Sequence, residues 1–252
     1  MKFIGIIPAR YASSRFPGKP LAMIGGRTMI ERVYRRASEE LDEVVVATDD
    51  SRIFDAVTAF GGKAVMTSAS HRSGTDRVRE AYANVGSDAD VVINIQGDEP
   101  FIAPKQIAQL KTCFDDPEVE IATLARVFDK SLGFEALFNA NTPKLVLDRN
   151  MNAIYFSRSI IPYVRNCSWE QWTDNAVFHT HVGLYAYRAA TLDAITRLQQ
   201  TPLELAESLE QLRWIENGYK IRVAITDCRT IGIDTPEDLA EAISHIDEFD
   251  NA

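Results

Sequence analysis

Seven segments in the first hundred residues narrow the class of fold more than anything else in the chain. They are FIGII (3–7), RTMIERVYRRA (27–37), EVVVAT (43–48), DSRIFDAVTAFGG (50–62), KAVMT (63–67), DRVREAYANVG (76–86) and DVVINI (90–95). Short β-branched runs alternate with segments of helical spacing, which is the β-α-β-α order of an α/β sheet. The apolar runs are nearly continuous and not alternating, as expected of parallel strands covered by helices on both faces. Gly61 and Gly62 supply a helix C-terminus, and Pro104 sits where a helix through KQIAQLKTCF would begin.

Beyond about residue 117 the order changes. EVEIATLARVF, PKLVLDRN, NAIYFSRSI and HTHVGLYAYR are strand-like and lack long helices between them, so the sheet is expected to become mixed. Helices are expected through AATLDAITRLQQ and through PLELAESLEQLRWIENG as one segment, followed by a strand at KIRVAIT. The closing helix, TPEDLAEAISHIDEF, has Thr235 and Asp238 at capping-box spacing and Pro236 at the first helical position. With no linker, repeat or low-complexity run, residues 1–252 read as one domain with a β-rich excursion over about 120–185.

The excess of 36 acidic over 27 basic residues, a formal charge of −9, argues against a nucleic-acid partner. No apolar run reaches the length of a membrane span, and the opening MKFIGII is interrupted by Pro8 too early for a secretory signal. Cys113, Cys167 and Cys228 are far apart with no CxxC pair, which suits a reducing cytoplasm.

Within this acidic chain, the first strand releases the loop IPARYASSRFPGKPL (7–21), rich in turns and cations. Open α/β sheets bind ligands at the carboxyl ends of their strands. A dinucleotide site would need G-x-G-x-x-G here, and that fingerprint is absent. Arg10, Arg15 and Lys19 with backbone N–H groups suit phosphate chemistry; the alternative is a solvated basic loop. HRSGTDR (71–77) sets Arg72, Ser73, Gly74 and Arg77 about a helix start, either an anion site or an ordinary N-cap. NIQGDEP (94–100) ends a buried strand with Gln96, Asp98 and Glu99, and IGIDTPEDL (231–239) places Asp234 just before a helix. Each alone reads as a polar turn or a helix start. Together, two carboxylates and two cationic loops have the ingredients of a magnesium–nucleotide site.

In order and along essentially the whole chain, IPARYASSRFPGKPL, HRSGTDR, NIQGDEP, FSRSIIP, HVGLYAYR, LEQLRWIENG and IDTPEDL resemble the 3-deoxy-D-manno-octulosonate cytidylyltransferases. The resemblance implies a Rossmann-like nucleotidyltransferase fold, a homodimer, and use of CTP and Mg²⁺ to activate a 3-deoxy-2-keto sugar acid for lipopolysaccharide. It implies that Arg10 and Lys19 bind the triphosphate and that Pro8, Ala9, Ser73 and Gly74 lie against cytosine and ribose. Ser13, Arg72 and Arg77 complete the expected nucleotide set. Asp98 and Asp234 would hold magnesium, and Gln96, Arg158, His181, Tyr185, Glu210 and Gln211 would meet the sugar acid.

Each sugar-side residue also has a plainer reading. His181 and Tyr185 share one side of a strand and could be structural. Helical periodicity with Leu205, Leu209, Leu212 and Ile215 would leave Glu210 and Gln211 as solvated flank, and Arg158 could anchor a dimer contact. The family often has Arg immediately before the motif His; this chain has Thr180, with His179 as a substitute. Other acceptors, a sialic acid or an amino-substituted analogue, are alternatives within the same chemistry. An NAD-linked oxidoreductase using Asp49 or Asp50 is the alternative outside it, although those aspartates also suit capping the helix from Ser51.

Overall fold

The computed structural model describes residues 1–12, 16–228, 232–244 and 246. In chain order its strands and α-helices are β1 (Phe3–Ala9), β2 (Met23–Ile24), β3 (Arg27–Thr28), α1 (Met29–Ala37), β4 (Glu43–Thr48), α2 (Ser51–Ala59), β5 (Ala64–Met66), α3 (Gly74–Val85), β6 (Val91–Asn94) and α4 (Pro104–Thr112). There follow β7 (Ile121–Val127), β8 (Lys144–Leu147), β9 (Ala153–Ser157), α5 (Trp172–Asn175), β10 (His179–Arg188), α6 (Ala189–Ile195), α7 (Pro202–Glu207), α8 (Gln211–Glu216), β11 (Ile221–Ile225) and α9 (Pro236–Ser244). The chain forms two compact units. The first is Met1–Lys111, Leu184–Thr196 and Cys228–Ala252; the second is Thr112–Gly183 and Arg197–Asp227. The expected excursion over 120–185 thus covers only part of the second unit, which also takes in 197–227.

In the first unit β6, β1, β4 and β5 are neighbours and parallel, and Tyr185–Arg188 of β10 runs antiparallel to β6. Ile4, Ile6, Ile7, Val45, Val46 and Val91 are essentially inaccessible, so the continuous apolar runs do mark strands buried on both faces. The helix starts follow their side chains. Thr28 caps α1 by accepting from Glu31 N at 3.3 Å, Asp50 caps α2 by accepting from Arg52 N at 3.0 Å, and Ser73 caps α3 by accepting from Asp76 N at 3.1 Å. The expected helix from Arg27 starts two residues later, because Arg27–Thr28 pairs with Met23–Ile24.

In the second unit β11 is parallel to β7, while the start of β10 pairs antiparallel with β8 and β8 with β9. The sheet is therefore mixed and mostly parallel, as the sequence led us to expect. One expectation fails instructively. PLELAESLEQLRWIENG is two helices, α7 and α8, because Ser208 adopts φ 50, ψ 47, a left-handed conformation uncommon outside glycine. The break changes which residues are inside. Leu205, assigned to the apolar face of one helix, is 60% exposed, whereas Gln211, assigned to its solvated flank, is only 5% exposed. A bidentate pair then ties the two helices together, Arg213 Nε donating to Glu204 Oε2 at 2.8 Å while its Nη2 donates to Oε1.

The carboxyl ends of the parallel strands are drawn close together by glycine. A Cβ at Gly97, just after β6, would lie 2.9 Å from the Pro8 carbonyl oxygen in β1, too close for any side chain without backbone movement. We predict that Gly97→Ala lowers stability by on the order of 1–3 kcal/mol, the usual scale of overpacking. Denaturant unfolding of the two proteins checks this; equal midpoints would show that the contact tolerates a methyl group.

Candidate active site

In the first unit, three segments remote in sequence meet at Lys19. Its ammonium donates to Asp98 Oδ2 at 2.7 Å and to Asp234 Oδ1 at 3.4 Å. Each participant is delivered by local structure. Gly18 (φ 73) turns the loop into the 3-10 turn that begins at Lys19, and a Cβ at Gly18 would press on the Tyr11 ring at 3.1 Å. Tyr11 is covered on its face by the Arg52 guanidinium, 3.3 Å from the ring centre, and Arg52 is itself held by Asp50 at 2.6 Å. Asp98 follows β6, and its carbonyl accepts from Ile233 N at 2.9 Å, which brings the chain at Asp234 alongside. The expected capping box is present: Asp238 Oδ2 accepts from Thr235 N at 2.8 Å and from Asp234 N at 2.9 Å, while Thr235 Oγ1 accepts from Asp238 N. Next to Asp98, burial raises the Glu99 carboxyl to about 7, with the Asp98 charge a smaller contribution.

The second cationic loop joins the same strand ends. Arg10 Nη2 donates to the His71 carbonyl at 2.7 Å and to the Ser73 carbonyl at 3.4 Å, so the end of β1 is tied to the start of α3. Pro8 lies against Gly74, where a Cβ would sit 3.6 Å from the proline ring. Ala9 is buried and Arg72 is exposed. Behind the loop, Glu80 accepts from Ser68 N and bonds to the His71 imidazole; these contacts hold its carboxyl below the usual range. Arg77 does not fit the expectation. It is wholly buried, donating to Asp49 at 3.0 Å and to Thr67 Oγ1 at 2.7 Å, so its charge is committed to the core beneath the loop and not to an anion. Asp49 is thereby accounted for, and Asp50 caps α2. Ser13 lies outside the described residues.

Within the same unit, Gln96 is half-buried at the end of β6. Tyr185 pairs in register with Asn94 and stacks with Tyr187, ring centres 6.0 Å apart.

The remaining sugar-side candidates belong to the second unit. His181 sits on β10 with Nε2 3.1 Å from Thr123 Oγ1 and its ring edge-on to Phe156. Burial pushes its pKa down to about 4, so the imidazole is neutral at pH 7 and offers hydrogen bonds without charge. His179, its proposed substitute partner, is likewise lowered by burial, and Thr180 donates to the Arg126 carbonyl at 3.5 Å. Arg158 is heavily engaged: Nε donates to the Glu207 carbonyl at 2.6 Å, Nη1 to Ala140 at 2.8 Å and Nη2 to Ser208 at 3.1 Å. Glu210 lies 3.9 Å from Arg213 Nη2. Gln211 Nε2 is enclosed with no hydrogen-bond partner among the described residues. Sequence reasoning overlooked Glu207, which accepts from Ser157 Oγ at 2.7 Å and from Arg158 N at 2.9 Å. Its place at the end of α7 carries no sequence signal of that role. It also missed the buried Lys144, whose Nζ donates to three carbonyls, those of Asn139, Thr142 and Arg158.

Two carboxylates sharing one cation at strand ends can gather a hard metal ion and a phosphate. We predict that Asp98→Asn keeps the fold but lowers turnover by about 100-fold or more, the scale of losing one preorganised charge at a reacting phosphate. Steady-state kinetics beside a circular dichroism melt measures both; near-normal turnover would remove Asp98 from the chemistry.

A cytidylyltransferase family model matches residues 4–221. A 3-deoxy-manno-octulosonate cytidylyltransferase of Parabacteroides distasonis is 61% identical over 98% of both chains. One from Bacteroides thetaiotaomicron is 60% identical over 99% of this chain and 98% of its own. Among solved structures, a CMP:2-keto-3-deoxy-manno-octonic acid synthetase complexed with CTP superposes with a TM-score of 0.90 at 42% identity, covering 98% of this chain and 99% of that one. A 4-diphosphocytidyl-2C-methyl-D-erythritol synthase from Anaerococcus prevotii, 15% identical with a TM-score of 0.61 over 98% of this chain and 99% of its own, shares the fold. The chain belongs to the cytidylyltransferase family, on the branch that includes the 3-deoxy-manno-octulosonate cytidylyltransferases.

Proposed function

We propose that this enzyme transfers the cytidylyl group of CTP to the anomeric hydroxyl of 3-deoxy-manno-octulosonate, yielding the CMP-linked sugar and pyrophosphate for lipopolysaccharide assembly. The observation that carries the reading is the convergence on Lys19 of Asp98, from the carboxyl end of β6, at 2.7 Å and of Asp234, just before α9, at 3.4 Å. The anomeric oxygen attacks the α-phosphorus, a new P–O bond forms, and the bond to the β-phosphate oxygen breaks as pyrophosphate departs. The hydroxyl proton is lost to solvent. No protein nucleophile is needed.

The donor set fits magnesium. Asp98 and Asp234 would offer two hard oxygen ligands at the point where both now meet the Lys19 ammonium. Magnesium characteristically takes one or two carboxylates and completes its shell with phosphate oxygens and water. Bound there, it would neutralise phosphate charge and acidify the attacking hydroxyl. Lys19 and Arg10 stabilise charge on the departing phosphates. Pro8, Ala9, Ser73 and Gly74 border the nucleoside. Gln96 and Tyr185 in the first unit, and neutral His181, Glu210 and Gln211 in the second, are the side chains that the family resemblance assigns to the sugar acid. Arg158, with three N–H groups already donating to carbonyls, contributes mainly by holding those carbonyls in place.

The test is release of pyrophosphate from CTP with a panel of sugar acids: 3-deoxy-manno-octulosonate, its amino analogue and a sialic acid. Turnover is expected with the first, to stop on chelation of divalent cations and to return with added Mg²⁺. Turnover that survives chelation, or that prefers a sialic acid, would refute the assignment.

We further propose a cytoplasmic homodimer. No helix among the described residues is long and apolar enough to cross a membrane. The second unit exposes Tyr163 (73%), Trp169 (56%) and Phe138 (52%) around a cleft of about 530 Å³, an apolar surface of the kind that a second copy covers. Sedimentation velocity should give twice the chain mass, and Trp169→Lys with Tyr163→Lys should shift it to the monomer. A native monomer, or a dimer indifferent to both changes, would exclude this face.

A further inference from the structure

We infer that Glu207 is a positioning residue for sugar-acid binding, acting through the turn that presents Glu210 and Gln211. This rests on the placement of those two residues at the sugar proposed above. Glu207 is the last residue of α7 and works in three directions at once. Its carboxylate accepts from Ser157 Oγ at 2.7 Å, from the Arg158 backbone N–H at 2.9 Å and from Tyr155 OH at 3.4 Å, all on or next to β9. Its carbonyl accepts from Arg158 Nε at 2.6 Å, and the next carbonyl, that of Ser208, accepts from Arg158 Nη2 at 3.1 Å. The hydrogen bonds from Ser157, Tyr155 and the Arg158 backbone draw the Glu207 carboxyl below its ordinary range against the opposing effect of burial.

These bonds account for a backbone that the sequence does not explain. Ser208 has a left-handed φ of 50 without being glycine, and such a conformation persists only where surrounding contacts fix it. Here the residue before it is clamped to β9 by its side chain, and both flanking carbonyls are gripped by one guanidinium. The turn ends α7 and restarts the helix at Gln211 on a new face, which is why Gln211 is 5% exposed. Gln211 Nε2 is enclosed with no acceptor among the described residues. A buried amide donor without an acceptor is costly, and an acceptor oxygen on a polyhydroxylated acid suits it. The Glu204–Arg213 pair and the Leu203 N–H donating to Glu216 at 3.2 Å join α7 to α8, but among the described contacts it is Glu207 and Arg158 that tie the turn itself to β9.

The experiment uses the full-length enzyme with Glu207→Gln, Gln211→Ala and the double variant, reading KM for 3-deoxy-manno-octulosonate, kcat, and the dissociation constant of CTP measured without sugar. Glu207→Gln is expected to raise the sugar KM roughly tenfold, the scale of one lost charge-assisted hydrogen bond, with CTP affinity within about twofold. On the Gln211→Ala background, its effect should shrink to under about threefold, since both act through one amide. Glu207→Asp, which keeps the charge but falls short of β9, should give a smaller rise and serves if the Gln variant does not fold. An unchanged sugar KM in Glu207→Gln beside a raised one in Gln211→Ala overturns this inference alone. Full additivity of the two changes also overturns it, because a purely structural Glu207 would act independently of Gln211. A Gln211→Ala enzyme with normal sugar KM overturns the placement of the sugar on which the inference rests.

Discussion

The shared ion pair of Lys19 with Asp98 and Asp234 is the interaction about which the first unit is organised. It joins the loop after β1, the loop after β6 and the start of α9, segments 79 and 215 residues away from Lys19. Isolated surface pairs contribute little to stability. This one differs because the Lys19 side chain is only 14% exposed and meets two carboxylates. Leaving either carboxylate without its cation would place two like charges side by side at the strand ends. Two carboxylates against one lysine leave the cluster with a net negative charge, which suits the magnesium proposed above.

Most of the first unit was legible in the sequence because local and long-range preferences agree there. FIGII, EVVVAT and DVVINI are buried parallel strands as their continuous apolar runs imply, and Ser73, Asp50 and Thr235 cap the helices that their side chains suit. Arg10, Lys19, Asp98 and Asp234 could be singled out only together, because each alone also reads as a solvated loop, a polar turn or a helix start. Arg77 shows the limit of that logic. Arg72 in HRSGTDR is exposed, but one helical turn beyond Ser73 the Arg77 side chain points inward to Asp49 and Thr67, and spacing alone cannot tell a core guanidinium from a phosphate ligand.

The second unit was less legible for a definite reason. Its decisive turn, at Ser208, has no glycine, asparagine or proline to announce it; the signal is a set of hydrogen bonds between residues about fifty positions apart, Glu207 to Ser157 and Arg158. Helical periodicity therefore ran straight through the break and assigned Leu205 inward and Gln211 outward, the reverse of what the structure shows. Only the motif resemblance pointed to Gln211. Its burial supplies a physical argument that the resemblance lacked.

The two arginines, Arg77 and Arg158, follow one rule that bears on how an acidic chain handles anionic ligands. Each guanidinium is committed to groups of the protein itself, Arg77 to a carboxylate and a hydroxyl, Arg158 to three carbonyls. A planar donor fork fixes geometry better than an ammonium does, so these arginines serve the framework. Lys19 is a compact charge on a flexible stem, able to exchange one oxygen partner for another with little change of position. A cation of that kind suits the exchange of one anionic group for another.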